Sequence, residues 1–88
     1  MKLISTSHFE KHLNKLPDAV AKRIYNKLNN LVQNAANIDV KKLQGGNDYR
    51  LRLGSYRIIF EYRSISGEVV ILLKHVEQRK DVYRKRKK

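Results

Sequence analysis

The segment Tyr49-Arg50-Leu51-Arg52-Leu53-Gly54-Ser55-Tyr56-Arg57-Ile58-Ile59-Phe60-Glu61-Tyr62 constrains the fold more than any other stretch of the chain. Apolar and charged side chains alternate with period two before the Gly-Ser pair and largely after it. That is the pattern of two antiparallel strands joined by a two-residue turn. With Gly54 and Ser55 as the loop, Leu53 lies opposite Tyr56, Arg52 opposite Arg57, Leu51 opposite Ile58 and Arg50 opposite Ile59. One face then carries Tyr49, Leu51, Leu53, Tyr56, Ile58 and Phe60. The other gathers Arg50, Arg52 and Arg57, with Glu61 further along. Like charges set directly opposite one another destabilise a sheet. A hairpin that concentrates three guanidinium groups therefore points to an anionic ligand, most simply a phosphate backbone.

Around this hairpin the spacing predicts a short N-terminal strand, two helices and a further strand. Lys2 to Ile4 read as the first strand. Ser5 and Ser7 are N-cap candidates, and Ser7 with Glu10 has the spacing of a capping box. Phe9, Leu13 and Leu16 share a helical stripe, and Pro17 ends that helix and opens the next. Val20, Ile24, Leu28, Leu31 and Val32 recur at helical spacing through about residue 34. Asn34 to Asn47 read as an irregular connection anchored by Val40 and Leu43, with a turn at Gly45-Gly46-Asn47-Asp48. After a turn over Ser64 to Glu68, the run Val69 to Leu73 reads as a strand buried on both faces, and its spacing leaves open which way His75 points. The tail from Gln78 to Lys88 suits a short basic helix or arm. The order predicts an α+β, two-layer fold: an N-terminal helical hairpin on one face of a small antiparallel sheet, with the arginines on the other face. The 88 residues form a single domain, 1–88.

Twenty Lys and Arg stand against eight Asp and Glu, a formal charge of +12. Such an excess weakens the compact state by self-repulsion and favours anionic partners. The absence of cysteine excludes disulfides and thiolate chemistry and fits a cytoplasmic setting. No stretch has the roughly 18 apolar residues of a membrane span. The tail residues Arg79, Lys80, Arg84, Lys85, Arg86, Lys87 and Lys88 form a charge run of the kind that binds nucleic acid through phosphates.

Arg50, Arg52 and Arg57 can together orient a phosphodiester and stabilise charge that develops at phosphorus. RNA cleavage without a metal also needs a base for the 2′-OH proton and an acid for the departing 5′-oxygen. His75 can serve as either, Glu61 as a base, and Tyr83 as a donor or stacking platform. His8 and His12 lie one helical turn apart, a metal-like spacing, but without a third ligand in view they read as surface residues and no metal is expected.

Lys42-Leu43, the run from Tyr49 to Phe60, and Arg79-Lys80-Asp81-Val82-Tyr83 resemble the RelE/ParE superfamily of toxin–antitoxin toxins, and the order of elements extends the likeness over nearly the whole chain. The resemblance implies a RelE-like fold and a ribosome-dependent endoribonuclease, an mRNA interferase that cleaves mRNA in the A site. The implied reaction is 2′-OH attack, leaving a cyclic phosphate and a 5′-hydroxyl, with no cofactor. Arg57 matches the family's arginine at the scissile phosphate, and Tyr83 matches its C-terminal tyrosine. Arg50 and Arg52 stand where the best-known members carry lysines, and a guanidinium is a poor proton acceptor. Counting back from Tyr83, the family's second arginine falls on Glu77. On this basis the expected catalytic residues are Arg57, His75, Tyr83, Arg52 and Glu61. The expected phosphate contacts are Arg50, Arg52, Arg57, Arg79, Lys80 and Arg84. The resemblance also implies an acidic antitoxin partner. Its other branch implies a DNA gyrase inhibitor that cuts no RNA, and charge alone implies a non-catalytic nucleic-acid-binding module.

Overall fold

The computed structural model describes residues 1–33 and 38–78. The expected tail elements, with Arg79, Lys80, Tyr83 and Arg84, lie outside the described residues. The elements run in the order β1 (Lys2–Ser5), α1 (Ser7–Asn14), α2 (Asp18–Val32), β2 (Val40–Lys42), β3 (Asp48–Leu53), β4 (Tyr56–Ile65) and β5 (Glu68–Gln78). The strands form one sheet in the order β1-β5-β4-β3-β2. Phe9 and Leu13 of α1 and Ile24, Leu28 and Leu31 of α2 share a single buried cluster with Leu51, Ile58, Phe60, Ile71 and Leu73 of the sheet.

The β3–β4 hairpin has the register its sequence predicts, with Leu53 opposite Tyr56, Arg52 opposite Arg57, Leu51 opposite Ile58 and Arg50 opposite Ile59. Gly54 supplies the positive φ (59°) at this turn. The β4–β5 turn places both Ser66 (φ 52°) and Gly67 (φ 83°) in the left-handed region. Such a pair matches the right-handed twist of the flanking strands.

Four expectations are corrected. The sheet is mixed: β1 runs parallel to β5, pairing Lys2 with Val70 and Ser5 with Leu73. The supposed irregular connection contains β2, an edge strand that pairs Val40 with Leu51 and Lys42 with Tyr49. Three residues, two of them lysines, are too few to show a period, and exposed lysines are what an edge strand carries to discourage further pairing. The last strand is longer than Val69–Leu73, and Val69 is exposed. Finally, α1 is capped by Thr6 and not by Ser5 or Ser7.

Thr6 joins the helical layer to the sheet. Its Oγ1 accepts from the Phe9 N–H at 3.1 Å. The same hydroxyl lies within donating reach of the Leu73 and Lys74 carbonyls, at 2.9 and 3.1 Å, and the Thr6 N–H donates to the Leu73 carbonyl at 3.1 Å. One side chain therefore satisfies an orphan donor at the start of α1 and ties that end to β5.

The pairing of β4 with β5 changes register between Ile59 and Phe60. Ile59 faces His75, but Phe60 faces Leu73, so Lys74 is an extra residue on β5. This is a β-bulge, and it reverses which face the later residues of β5 occupy. Ile71 and Leu73 point into the core on one side of the bulge, Val76 on the other.

Thr6→Ala is expected to cost about 1–2 kcal/mol, the usual loss for an N-cap with additional bonds. Denaturant unfolding of the two proteins measures it.

Candidate active site

The register of β3, β4 and β5 sets the arginine face out in rows, because residues paired across strands share a face. One row is Arg52, Arg57 and Glu77. The next, two residues along each strand, is Arg50, Ile59 and His75. Strands lie about 4.8 Å apart and successive same-face residues about 6.7 Å apart. Arg57 therefore sits beside Arg52 on one side and Glu77 on the other, with His75 next along β5.

The side chains follow this placement. Arg57 Nη2 donates to Glu77 Oε1 at 2.9 Å. The other oxygen of the same carboxylate, Oε2, lies 3.2 Å from His75 Nε2. Glu77 thus bridges a cation and an imidazole. The three side chains are 37%, 40% and 33% exposed for Arg57, Glu77 and His75, so solvent and a ligand reach them. Arg50 leans the other way, donating to Asp39 Oδ1 at 3.1 Å. Arg52 forms no ion pair among the described residues. The Nε–H groups of Arg52 and Arg57 are both buried with no acceptor among the described residues. A buried unpaired donor is costly, and two on neighbouring guanidinium groups favour an anion.

Glu61 lies four residues from Arg57 on β4, about 13 Å along the strand. It is buried, 8% exposed, and belongs to a separate cluster. Arg63 Nε lies 3.2 Å from its Oε2, and Lys74 Nζ 3.2 Å from its Oε1. Lys74 Nζ also bonds Asp48 Oδ1 at 2.7 Å. The bonds from Arg63 and then Lys74 outweigh burial and hold the Glu61 carboxyl below its ordinary range. The bonds to Asp48 and then Glu61 push Lys74 up. Glu61 is thereby an ion-pair partner held in its charged form, a poor proton acceptor.

His75 also meets α1. The rings of His8 and His12 are 4.4 Å apart between centroids, and they lie 6.0 and 6.4 Å from the His75 ring. His12 Nδ1 accepts from the Val76 N–H at 3.3 Å, beyond the reach of β1. His12 is therefore not the simple surface residue its spacing suggests. Burial, then the charges of His8, His75 and Lys15, lower its pKa.

The site residues that spacing alone did not bring together are Glu77, Lys74 and His12. One signal was present: the core-facing residues run Ile71, Leu73, Val76, with a gap of three where a regular strand has two.

A curated relative, Toxin RelE3 of Methanocaldococcus jannaschii, is 34% identical over an alignment that covers 94% of this chain and 96% of that protein. The chain belongs to the RelE toxin family. It is a toxin of the kind that forms toxin–antitoxin systems. A chain of the crystallised RelB–RelE antitoxin–toxin complex from Methanococcus jannaschii is 29% identical with a TM-score of 0.68, the match covering 93% of this chain and 96% of that one. The isolated E. coli RelE toxin, 24% identical over 97% of this chain and 93% of its own, shares the fold with a TM-score of 0.71. No protein-family model matches the chain. Within this RelE fold, the row of Arg52, Arg57 and Glu77 lies on the face opposite the helix-packed core.

The His12 shift predicts a pH dependence. A ring whose folded pKa is lowered favours its neutral form, so its contribution to stability is present above the ordinary value of 6.5 and is lost as pH falls through the lower folded value. Protonation also removes the acceptor for Val76. The Val76 amide is expected to lose exchange protection below pH 6.5 relative to its neighbours. A protection factor unchanged across that range would contradict the coupling.

Proposed function

We propose that this RelE-family chain is a ribosome-dependent endoribonuclease that cleaves mRNA in the A site by attack of a ribose 2′-OH on the adjacent phosphorus. The observation that carries this reading is the meeting of Arg57 with a proton-transfer side chain, His75, through one carboxylate. A cation for the phosphate and a side chain that can give or take a proton are two components such cleavage requires.

In this reading Arg57 and Arg52 hold the scissile phosphate from adjacent strands. Their guanidinium groups offer planar, paired donors and stay charged, so they bear the negative charge that grows on the non-bridging oxygens as the O2′–P bond forms. The phosphate takes the place of a carboxylate on Arg57, and their half-exposed pair is weak enough to exchange. Arg50, held by Asp39, supplies field and a further phosphate contact. His75 donates a proton to the departing 5′-oxygen, leaving a 2′,3′-cyclic phosphate and a 5′-hydroxyl. Glu61 holds Lys74 and Arg63 in place and takes no part in the proton transfer. Tyr83, Arg79, Lys80 and Arg84 extend the RNA contact surface from the tail.

The partner is an acidic antitoxin. The relative in the RelB–RelE structure is in complex with an antitoxin, and a charge of +12 favours a polypeptide of opposite sign. The cation row is the surface such a chain would cover to block the phosphate site. The setting is the cytoplasm, where mRNA and ribosomes are found.

The test is translation of a defined mRNA in a purified system, with primer extension to map the cuts. Cuts that require ribosomes and fall by about 10²–10³-fold in Arg57→Ala, the loss typical of one charge-stabilising donor, support the reading. Full cleavage by a folded Arg57→Ala protein would refute it. Inhibition of gyrase supercoiling with no cut in any mRNA would move the chain to the other branch of its superfamily.

A further inference from the structure

We infer that Glu77 is the general base of the cleavage, taking the proton from the attacking 2′-OH while His75 protonates the leaving 5′-oxygen. The inference rests on the nuclease reading above and adds the residue that reading lacks.

The argument is one of elimination and geometry. Arg50 and Arg52 are guanidinium groups and accept no proton. Glu61 is buried, bound by Arg63 and Lys74, and held in its weakly basic state. Asp48 is engaged by Lys74, and Asp39 by Arg50 on the far side of the sheet. Among the described residues, Glu77 is the carboxylate beside Arg57, and it is half-exposed. Its Oε1 lies 2.9 Å from Arg57 Nη2; when a phosphate takes over that guanidinium, the released carboxylate, unlike the Glu61 carboxylate between Arg63 and Lys74, stands free beside the ribose whose phosphate Arg57 holds.

The second contact completes the cycle. During attack the O2′–H proton passes to Glu77, the O2′–P bond forms, and the P–O5′ bond breaks. The electron pair of that bond goes to O5′, which takes a proton from the His75 imidazolium. The products are a cyclic phosphate and a 5′-hydroxyl, and the enzyme is left with a protonated Glu77 and a neutral His75. These two groups are themselves 3.2 Å apart, Oε2 to Nε2, within hydrogen-bonding reach. The proton returns from the carboxylic acid to the imidazole across that contact, and both groups are reset without a carrier from solvent.

The test uses the full-length protein with ribosomes and two mRNAs: a normal one, and one with sulfur in place of the bridging 5′-oxygen at the cut site. A thiolate leaves without needing a proton, so the sulfur substrate dispenses with the general acid but not with the base. Glu77→Gln keeps the shape and an acceptor for Arg57 but removes the basicity. It is expected to slow both substrates by about 10²–10⁴-fold, with Glu77→Asp recovering part of the loss. His75→Ala is expected to be slow on the normal mRNA and restored on the sulfur substrate. If sulfur restores Glu77→Gln as fully as His75→Ala, Glu77 acts only through His75 and the inference fails. It fails equally if Glu77→Gln cleaves as fast as, or faster than, the unaltered protein while Arg57→Ala does not, because the carboxylate then merely fills the phosphate site. Absence of cleavage by the unaltered protein overturns the nuclease reading, and this inference with it.

Discussion

The arrangement of the site depends on one surplus residue in the last strand. If β4 and β5 kept the pairing they have near their turn, where Ile65 meets Glu68 and Phe60 meets Leu73, then His75 would face Ile58 on the core side. Val76 would lie beside Arg57. The bulge at Lys74 shifts the phase by one, so His75 and Glu77 emerge on the arginine face and Val76 turns inward. A period of two leaves no intermediate outcome. The bulged residue is itself fastened, its ammonium held between Asp48 of β3 and Glu61 of β4. The acidic cluster is thus part of what keeps the imidazole and carboxylate facing Arg57, even though it stands about two rows away.

The positive surface is organised by its own carboxylates. Arg50, Arg57, Arg63 and Lys74 each lean on an acid from another position in the sheet. The half-exposed Arg57–Glu77 pair contributes about 0–1 kcal/mol, so it does little for stability. The pairs do set directions: Arg50 is drawn towards β2, Arg57 towards β5. The Arg57 pair is weak enough to exchange with another anion at small net cost, and the guanidinium is already oriented.

The legible parts of the sequence were those governed by near neighbours. The β3–β4 register, the stripe of α2 and the arginine face all follow from residues within a few positions of one another. What escaped depends on contacts between distant segments. Val40–Lys42 becomes a strand only because β3 lies beside it. The parallel partner of β1 is 68 positions along the chain. Thr6 passes over as an ordinary residue until the carbonyls of Leu73 and Lys74 are placed against its hydroxyl. The orientation of His75 was half-legible, since the spacing from Leu73 to Val76 breaks the alternation but does not say which residue is the extra one. Glu77 stands out in the sequence as a departure from a familial arginine, and only the structure shows that it bonds Arg57 and His75.

The pairing of β1 with β5 has a consequence for how the molecule comes into being. The first strand touches no other strand of the sheet, and α1 is stitched at its N-terminus to Leu73 and Lys74. During synthesis these early segments must therefore wait, unpartnered, until the last strand leaves the ribosome. The same late strand brings His75 and Glu77. A nascent chain thus carries Arg50, Arg52 and Arg57 well before it carries a complete sheet or the carboxylate that Arg57 bonds. The row of side chains on the arginine face is therefore completed only when β5 has been made.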